Sequence, residues 1–294
     1  MRQLEGRVAI VTGAGRGIGQ AVALRYAAEG ARIVVNGRTA ATIAETVQLI
    51  TRQGGEAIAV TGDVGQSGVA ERIAGTAADR WSRIDILVNN AAVIGPVEIL
   101  GEEDVDQWMD TLRINVLGPF LMTRAVVPLM KTARRGKVID VNSAANRGGG
   151  GNLLPYRVSK AALLRMTTTL AGQLAEFGIE VNAFDARATT DMVREMATWD
   201  DRDPALAARF RQRLQDGEPT PEQNAEVCLW LASDRSAGLT GRNIAWWMEL
   251  SDLDRLKAQI IADPRALRMD MVEMPGVSRS PTAEAYEKRK ASRP

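Results

Sequence analysis

The sequence predicts an α/β fold: one open, doubly wound parallel sheet of about seven strands with helices on both faces. Three observations carry that expectation. Short β-rich apolar runs alternate with helix-length segments from residue 8 to about residue 247. Most of those runs lack the polar alternation of a half-exposed strand, as expected where both faces are covered. A glycine-rich turn joins the first run to the first helical segment, where sheets of this kind approach their ligands.

The runs that predict strands are residues 8–11, 32–36, 57–61, 84–88, 137–141, 179–184 and 243–247. Between them, residues 18–29, 40–53, 68–81, 103–131, 156–177 and 221–231 have helical length and patterning. Two regions break the alternation. Residues 188–219 are charged and poor in β-formers, and predict one or two short helices forming a lid over the crevice at the strand C-termini. Residues 251–262 predict one amphipathic helix with Leu253, Leu256, Ile260 and Ile261 on its apolar side. The polar, proline-punctuated stretch from Gly276 is expected to be disordered. The expected organisation is therefore a single domain over residues 1–250 and a C-terminal extension over residues 251–294.

Composition narrows the chemistry. Lys and Arg number 37 against 36 Asp and Glu, a formal net charge of +1, so no global field favours nucleic acid or an acidic membrane surface. The chain has no His and one Cys, Cys228. That excludes Ser-His-Asp and Cys-His catalysis, imidazole metal ligation, an intrachain disulfide and a thiolate metal cluster. Proton transfer must fall to Tyr, Lys, Asp or Glu. No run approaches 18 consecutive apolar residues, and Met1 to Arg7 leads into the first strand without a signal-peptide pattern. The expectation is a cytoplasmic protein with no membrane or nucleic-acid partner.

The turn reads Thr12-Gly13-Ala14-Gly15-Arg16-Gly17-Ile18-Gly19. Glycines there permit a tight turn and close backbone approach to a pyrophosphate, and the following helix offers unpaired N–H groups and a positive dipole end. Gly13, Arg16, Gly17, Ile18 and Gly19 are the expected contacts; the alternative is an ordinary glycine-rich βα turn. The spacing TGxxxGxG resembles that of the short-chain dehydrogenase/reductase family, in its compact single-domain branch with a Rossmann-like sheet, and the resemblance extends over about residues 5–247.

At the end of the second strand the chain reads Val34-Val35-Asn36-Gly37-Arg38. Gly37 stands where a ribose-binding acid is expected, and Arg38 follows it. Losing a carboxylate and gaining a guanidinium suits a 2′-phosphate, to which Arg16 can add a second cation. NADP(H) is therefore expected over NAD(H), unless both arginines are merely solvated. The resemblance implies that Asp63, with Val64, meets the adenine; a helix N-cap is the competing role for Asp63. It also implies that Asn89 and Ala91, in Asn89-Asn90-Ala91-Ala92, border the ribose. The family's NNAG has Gly where Ala92 stands.

Tyr156 and Lys160 stand four residues apart, on one face of a predicted helix. A free phenol, with a pKa of about 10, is a poor neutral-pH catalyst, and a nearby ammonium is expected to lower that value. Ser143 ends the preceding strand and Asn115 lies in the long helix before it. Together they match the family's Asn–Ser–Tyr–Lys set in order and spacing. The resemblance implies that Tyr156 exchanges a proton with the substrate oxygen and Ser143 holds that oxygen. It further implies that Lys160 bonds the nicotinamide ribose, while Asn115 supports a water leading from Lys160 to solvent. Without the family, Ser143 reads as a turn residue and Asn115 as a satisfier of a backbone carbonyl.

The pattern breaks after Asn182, where the family has Pro-Gly and this chain has Ala186-Arg187 or Asp185-Ala186. Thr190 is the candidate contact to the carboxamide. Trp246 and Trp247 replace smaller residues of the family and suit core or subunit packing. Residues 148–151 are four glycines expected to form a flexible pocket wall. The leading functional expectation is NADP(H)-dependent interconversion of a carbonyl and an alcohol on a small molecule. A cofactor-binding protein without turnover and a nucleotide-sugar epimerase or dehydratase are the alternatives. The resemblance also implies a homotetramer or homodimer formed through the two long helices.

Overall fold

The computed structural model describes residues 2–97, 101–102, 104–146, 152–217, 219–264 and 266–267. The glycine run at 148–151 and the stretch from Gly276 lie outside the described residues. Seven strands, β1 (Val8–Val11), β2 (Arg32–Gly37), β3 (Glu56–Thr61), β4 (Ile86–Asn89), β5 (Gly136–Ser143), β6 (Ile179–Ala186) and β7 (Asn243–Ala245), form one sheet. Its order is β3-β2-β1-β4-β5-β6-β7, and every pairing is parallel. The order reverses between β1 and β4, which opens a crevice at their C-terminal ends.

Successive side chains of a strand point to opposite faces, and here both faces are apolar. Ala9 and Val11 join a core with α1 (Gly17–Ala28), α2 (Ala40–Arg52) and α9 (Pro221–Ala232). Val8 and Ile10 join a second core with α3 (Val69–Trp81), α5 (Gly118–Ala133) and α6 (Leu154–Leu174). This double burial is why the runs showed no polar alternation.

The predicted helix over 103–131 is three pieces: α4 (Val105–Leu112), a π-helical turn (Arg113–Leu117) and α5. Hydropathy does not register the change of winding, which alters the backbone hydrogen bonding and not the kinds of residue along the run. The run Val105–Ala133 is long and apolar enough to cross a membrane. Here it is a layer of the α/β fold, with Met122, Val126 and Met130 fully buried against the sheet side.

Residues 188–219 contain α7 (Asp191–Met196) and α8 (Pro204–Gln215). Thr190 and Asp203 cap them, accepting from the N–H groups of Val193 and Leu206. The strand expected over 243–247 stops at Ala245, and Trp247 is 60% exposed beyond it. The extension helix α10 (Leu250–Ala262) buries Leu253 in the first core. It is held where Trp230 Nε1 donates to Asp254 Oδ1 at 2.8 Å. Beyond it, the Leu267 carbonyl accepts from the Asn243 N–H at 2.8 Å and covers part of the β7 edge.

Candidate active site

The crevice holds a cavity of about 700 Å³. Its floor begins at the turn after β1. Thr12 Oγ accepts from the N–H groups of Asn90 and Ala91, at 2.9 and 3.1 Å, binding that turn to the end of β4. Asn90 Nδ2 donates to the carbonyls of Thr12 and Gly13, at 2.9 and 3.1 Å. The packing leaves no room for side chains: a Cβ on Gly19 would meet Asn90 Nδ2 and the Gly13 carbonyl at 2.4 Å. Gly13 has φ of +62°, and a Cβ there would lie 2.9 Å from Ala91 Cα. The first turn of α1 has no acidic residue and no side-chain cap, so its amide groups face the cavity with their dipole uncompensated. This cradle fits a dinucleotide pyrophosphate.

Gly37 and Arg38 line the same cavity. A Cβ on Gly37 would meet Ile43 Cγ2 at 2.8 Å, so α2 crowds out a carboxylate at this position. Arg38 is exposed, and so is Arg16, whose Nη1 lies 3.6 Å from Asp191 Oδ2. Asp63 lines the cavity and its carboxylate is shared, accepting from Arg113 Nη2 at 3.0 Å and the Gly65 N–H at 2.9 Å. Burial pushes its pKa up, but the Arg113 hydrogen bond and the Gly65 amide outweigh that and hold it below the usual range. Its local bond is an Asx turn preceding α3, so the structure gives it a structural task besides its place at the cavity.

At the other end, Ser143 finishes β5, and Tyr156 and Lys160 sit in the first two turns of α6; all three line the cavity. Lys160 is 3% exposed, donates to the Val141 carbonyl at 2.9 Å and lies 5.7 Å from the centroid of the Tyr156 ring. Burial lowers its pKa to about 8, against the upward pull of Asp140 and Asp185. The expected lowering of the Tyr156 pKa is corrected here. Burial raises it, and the opposing pulls come from the Ser143 hydrogen bond and the Arg213 charge. The Lys160 ammonium is spent on Val141 and is itself disfavoured by burial.

Three expected contacts stand outside the cavity lining. Gly19 is one helical residue behind it. Asn89 is buried with Nδ2 donating to Asp140 Oδ1 at 2.9 Å, and its neighbour Asn90 takes the cavity position. Asn89 is the last residue of β4 and Asn90 the first of the loop beyond it, and the doublet Asn-Asn hides which one faces in. Asn115, in the π-helical turn, accepts from the Val93 N–H and donates to the Val93 carbonyl, both at 2.8 Å, and donates to Ser159 Oγ at 3.0 Å. Its side chain thus ties the loop after β4 to α6, one residue from Lys160.

Thr190 lines the cavity, its methyl 3.5 Å from the Cβ position of Gly17. The turn after β6 lacks proline, and a buried residue that the sequence did not single out holds it instead. Asn224 of α9 accepts from the Arg187 N–H at 3.2 Å and donates to the Arg187 carbonyl at 2.8 Å. Arg113, Asn224 and the lining arginines of α6 and α8 all escaped the sequence. Arg113 and Asp63 are 50 residues apart, and only the paired spacing of Arg209 and Arg213 offered a local signal.

Fold and site together define a nucleotide-binding α/β enzyme. Residues 7–201 match the short chain dehydrogenase family. A 3-oxoacyl-[acyl-carrier-protein] reductase of Synechocystis is 36% identical over 245 residues, covering 82% of this chain and 96% of its own. Among solved structures, a putative NAD(P)-dependent gluconate 5-dehydrogenase from Beutenbergia cavernae, with bound NADP, is 31% identical with a TM-score of 0.74. It covers 83% of this chain and 96% of its own. An NAD+-bound xylitol dehydrogenase is 27% identical with a TM-score of 0.76, covering 83% and 98%. The chain belongs to the short-chain dehydrogenase/reductase family, whose members are oxidoreductases that use nicotinamide cofactors.

Proposed function

We propose that this protein is an NADP(H)-dependent oxidoreductase that interconverts a ketone or aldehyde and the corresponding alcohol. The observation that carries the reading is that Ser143, Tyr156 and Lys160 line one cavity with the glycine cradle. When bound, the nicotinamide supplies or accepts the hydride. The protein handles the proton. In reduction the Tyr156 phenol gives its proton to the carbonyl oxygen as the C–H bond forms, and Ser143 donates a hydrogen bond to the same oxygen as charge develops. The raised Tyr156 pKa keeps the phenol protonated at neutral pH, the state reduction requires. Lys160 would hold the nicotinamide ribose. Asn115 is a positioning residue, since it meets Val93 and Ser159 and not the cavity.

NADP(H) is favoured by the crowded Gly37 and by Arg38 at the cavity rim, with Arg16 beside the glycine turn. Residues 188–219 would form the substrate lid of a domain over 1–250. Val105, Met109, Leu117 and Phe120 on the α4–α5 run, with Leu154 and Val158 on α6, leave large apolar side chains exposed. That surface supports a homodimer or homotetramer through these helices. Cys228 is buried and free, which suits a reducing compartment, and we place the enzyme in the cytoplasm. NADPH consumption on a panel of ketones and aldehydes tests the chemistry. Tyr156→Phe should lower turnover by about a hundredfold or more while cofactor binding persists; unchanged turnover would overturn the mechanism.

A further inference from the structure

Asp140 lies in β5, three residues before Ser143, and takes no part in the chemistry described above. Strand alternation puts it on the α6 side of the sheet, two residues after Val138 of the second core and two before Asn142. It is 1% exposed. Both of its carboxyl oxygens are engaged: Oδ1 accepts from Asn89 Nδ2 at 2.9 Å and Oδ2 from Thr167 Oγ1 at 2.7 Å. Neither donor is a cation, so these bonds fix the carboxylate without balancing its charge.

Lys160 brings the opposite charge to this layer. The Val141 carbonyl accepts from its Nζ at 2.9 Å, and Asn142 Nδ2 donates to its carbonyl at 3.2 Å. Thr167 follows Lys160 by seven residues, two turns along the same face of α6. Residues 140, 141 and 142 of β5 therefore all meet that face, and the two charges share one buried layer between sheet and helix. Burial lowers the Lys160 pKa, and the Asp140 charge opposes it. Burial raises the Asp140 pKa, and the Thr167 and Asn89 bonds and the Lys160 charge oppose that. Asp185, opposite Asn142 in β6, is a second fully buried carboxyl that acts on Lys160, and it acts on Tyr156 as well. On the other packed elements, Lys137 and Glu180 pair at 2.6 Å at the far ends of β5 and β6. Arg113 of the π-helical turn pairs with Asp63 and Asp110, and Asp106 of α4 is exposed. On α6 itself, Tyr156 and Arg157 line the cavity and Arg165 is exposed.

We propose that Asp140 is a positioning residue that keeps Lys160 an ammonium at neutral pH, as a counter-charge buried behind the cavity wall. Burial drives an amine to release its proton, and a carboxylate in the same layer holds the proton on. Asp140 does this from outside the cavity lining, so it adds no negative charge to the phosphate cradle. An ammonium has donors only, which fixes the direction of its bond to a ribose hydroxyl. This role rests on the place given to Lys160 in the reading above and adds the residue that sets its charge.

The test titrates Lys160 through its Cε resonance in full-length protein carrying 13C-labelled lysine, the signal being assigned by its absence in Lys160→Met. In Asp140→Asn the Lys160 pKa should fall by about one unit or more below that of the wild type. The substitution suits the site: the Asn89 amide can turn, and its Oδ1, buried without a partner among the described residues, can accept from the new amide. Melting at neutral pH supplies a second readout as a double-mutant cycle. Asp140→Asn should lower Tm by a few degrees in the wild type, and by less or not at all on the Lys160→Met background. Folding of Asp140→Asn on that background alone supports the role. A carboxylate that merely ties β4 to α6 would be missed equally on both. An unmoved Lys160 titration, or equal losses on the two backgrounds, failure to fold on both included, overturns the role. Neither measurement needs turnover, so such a result leaves the carbonyl chemistry standing. An inert ketone and aldehyde panel beside a coupled Asp140–Lys160 pair overturns that chemistry and keeps the pair.

Discussion

Lys160 Nζ donates to the Val141 carbonyl at 2.9 Å and lies 5.7 Å from the centroid of the Tyr156 ring, so the ammonium is held by β5 in the same cavity wall as the phenol. Holding it there has a cost. Burial lowers the Lys160 pKa to about 8 from 10.5. Between those values the unfolded chain carries a proton that the folded chain has lost, so stability rises with pH across that window. Below it, the folded state bears a destabilisation of about 3 kcal/mol, at about 1.4 kcal/mol per pKa unit. Lys160→Met should therefore raise the melting temperature by a few degrees at neutral pH while abolishing turnover. The gain should shrink as pH rises from 8 toward 10.5. A variant less stable than wild type at neutral pH would contradict this account.

Tyr156 makes a second pH prediction. Burial raises its pKa, and the Ser143 hydrogen bond and Arg213 charge only partly restore it. Carbonyl reduction uses the protonated phenol, so its rate should be flat through neutral pH and fall only in the alkaline range. Alcohol oxidation uses the phenolate and should climb with pH over the same interval. Ser143→Ala removes the hydrogen bond that favours the phenolate, and should displace the rise to higher pH while lowering kcat about ten- to a thousandfold. Profiles in both directions on one substrate pair, wild type against Ser143→Ala, check both statements.

Cofactor choice rests on one crowded position and one rim charge. Gly37 admits no side chain without displacing Ile43, and Arg38 beside it offers a guanidinium to a 2′-phosphate. Arg38→Asp should lower kcat/KM for NADPH by about ten- to a hundredfold and raise NADH use relative to it. A cofactor ratio that does not move would remove the basis for NADP(H). Arg16→Ala should act in the same direction but more weakly, since that arginine is shared with Asp191.

How far the sequence reached follows from what each signal measures. The seven strands and the helices between them were legible because burial on both faces leaves uninterrupted apolar runs, as at Val8–Val11 and Ile86–Asn89. The π-helical turn at Arg113–Leu117 was not, since it changes hydrogen-bond winding without changing hydropathy. Of the site, the local motifs were legible: the glycine turn, Tyr156 with Lys160, and Ser143 at a strand end. Asn89 and Asn90 show the limit of such motifs, because β4 ends between them and only coordinates tell which of the two enters the cavity. Contacts made across the fold, such as Arg113 with Asp63, leave no local trace.

Asn224 is the most consequential of those distant contacts. It is 2% exposed, and its amide makes a two-point bond with the backbone of Arg187 while donating to the Thr220 carbonyl at 2.9 Å. This clamp stands at the turn where the family's proline-glycine pair is missing, between β6 and the Thr190 cap of α7. A side chain from α9 therefore supplies the rigidity that a fixed backbone dihedral supplies elsewhere. Asn224→Ala should leave the Arg187 N–H and carbonyl without this partner and cost about 1–3 kcal/mol of stability. It should also loosen the segment carrying Thr190, so KM for the cofactor rises more than kcat falls. Asn224→Asp keeps the acceptor for the Arg187 N–H but loses both donated bonds, and should recover only part of the stability. Equal KM values in wild type and Asn224→Ala, with the stability loss intact, would limit the clamp to a folding role.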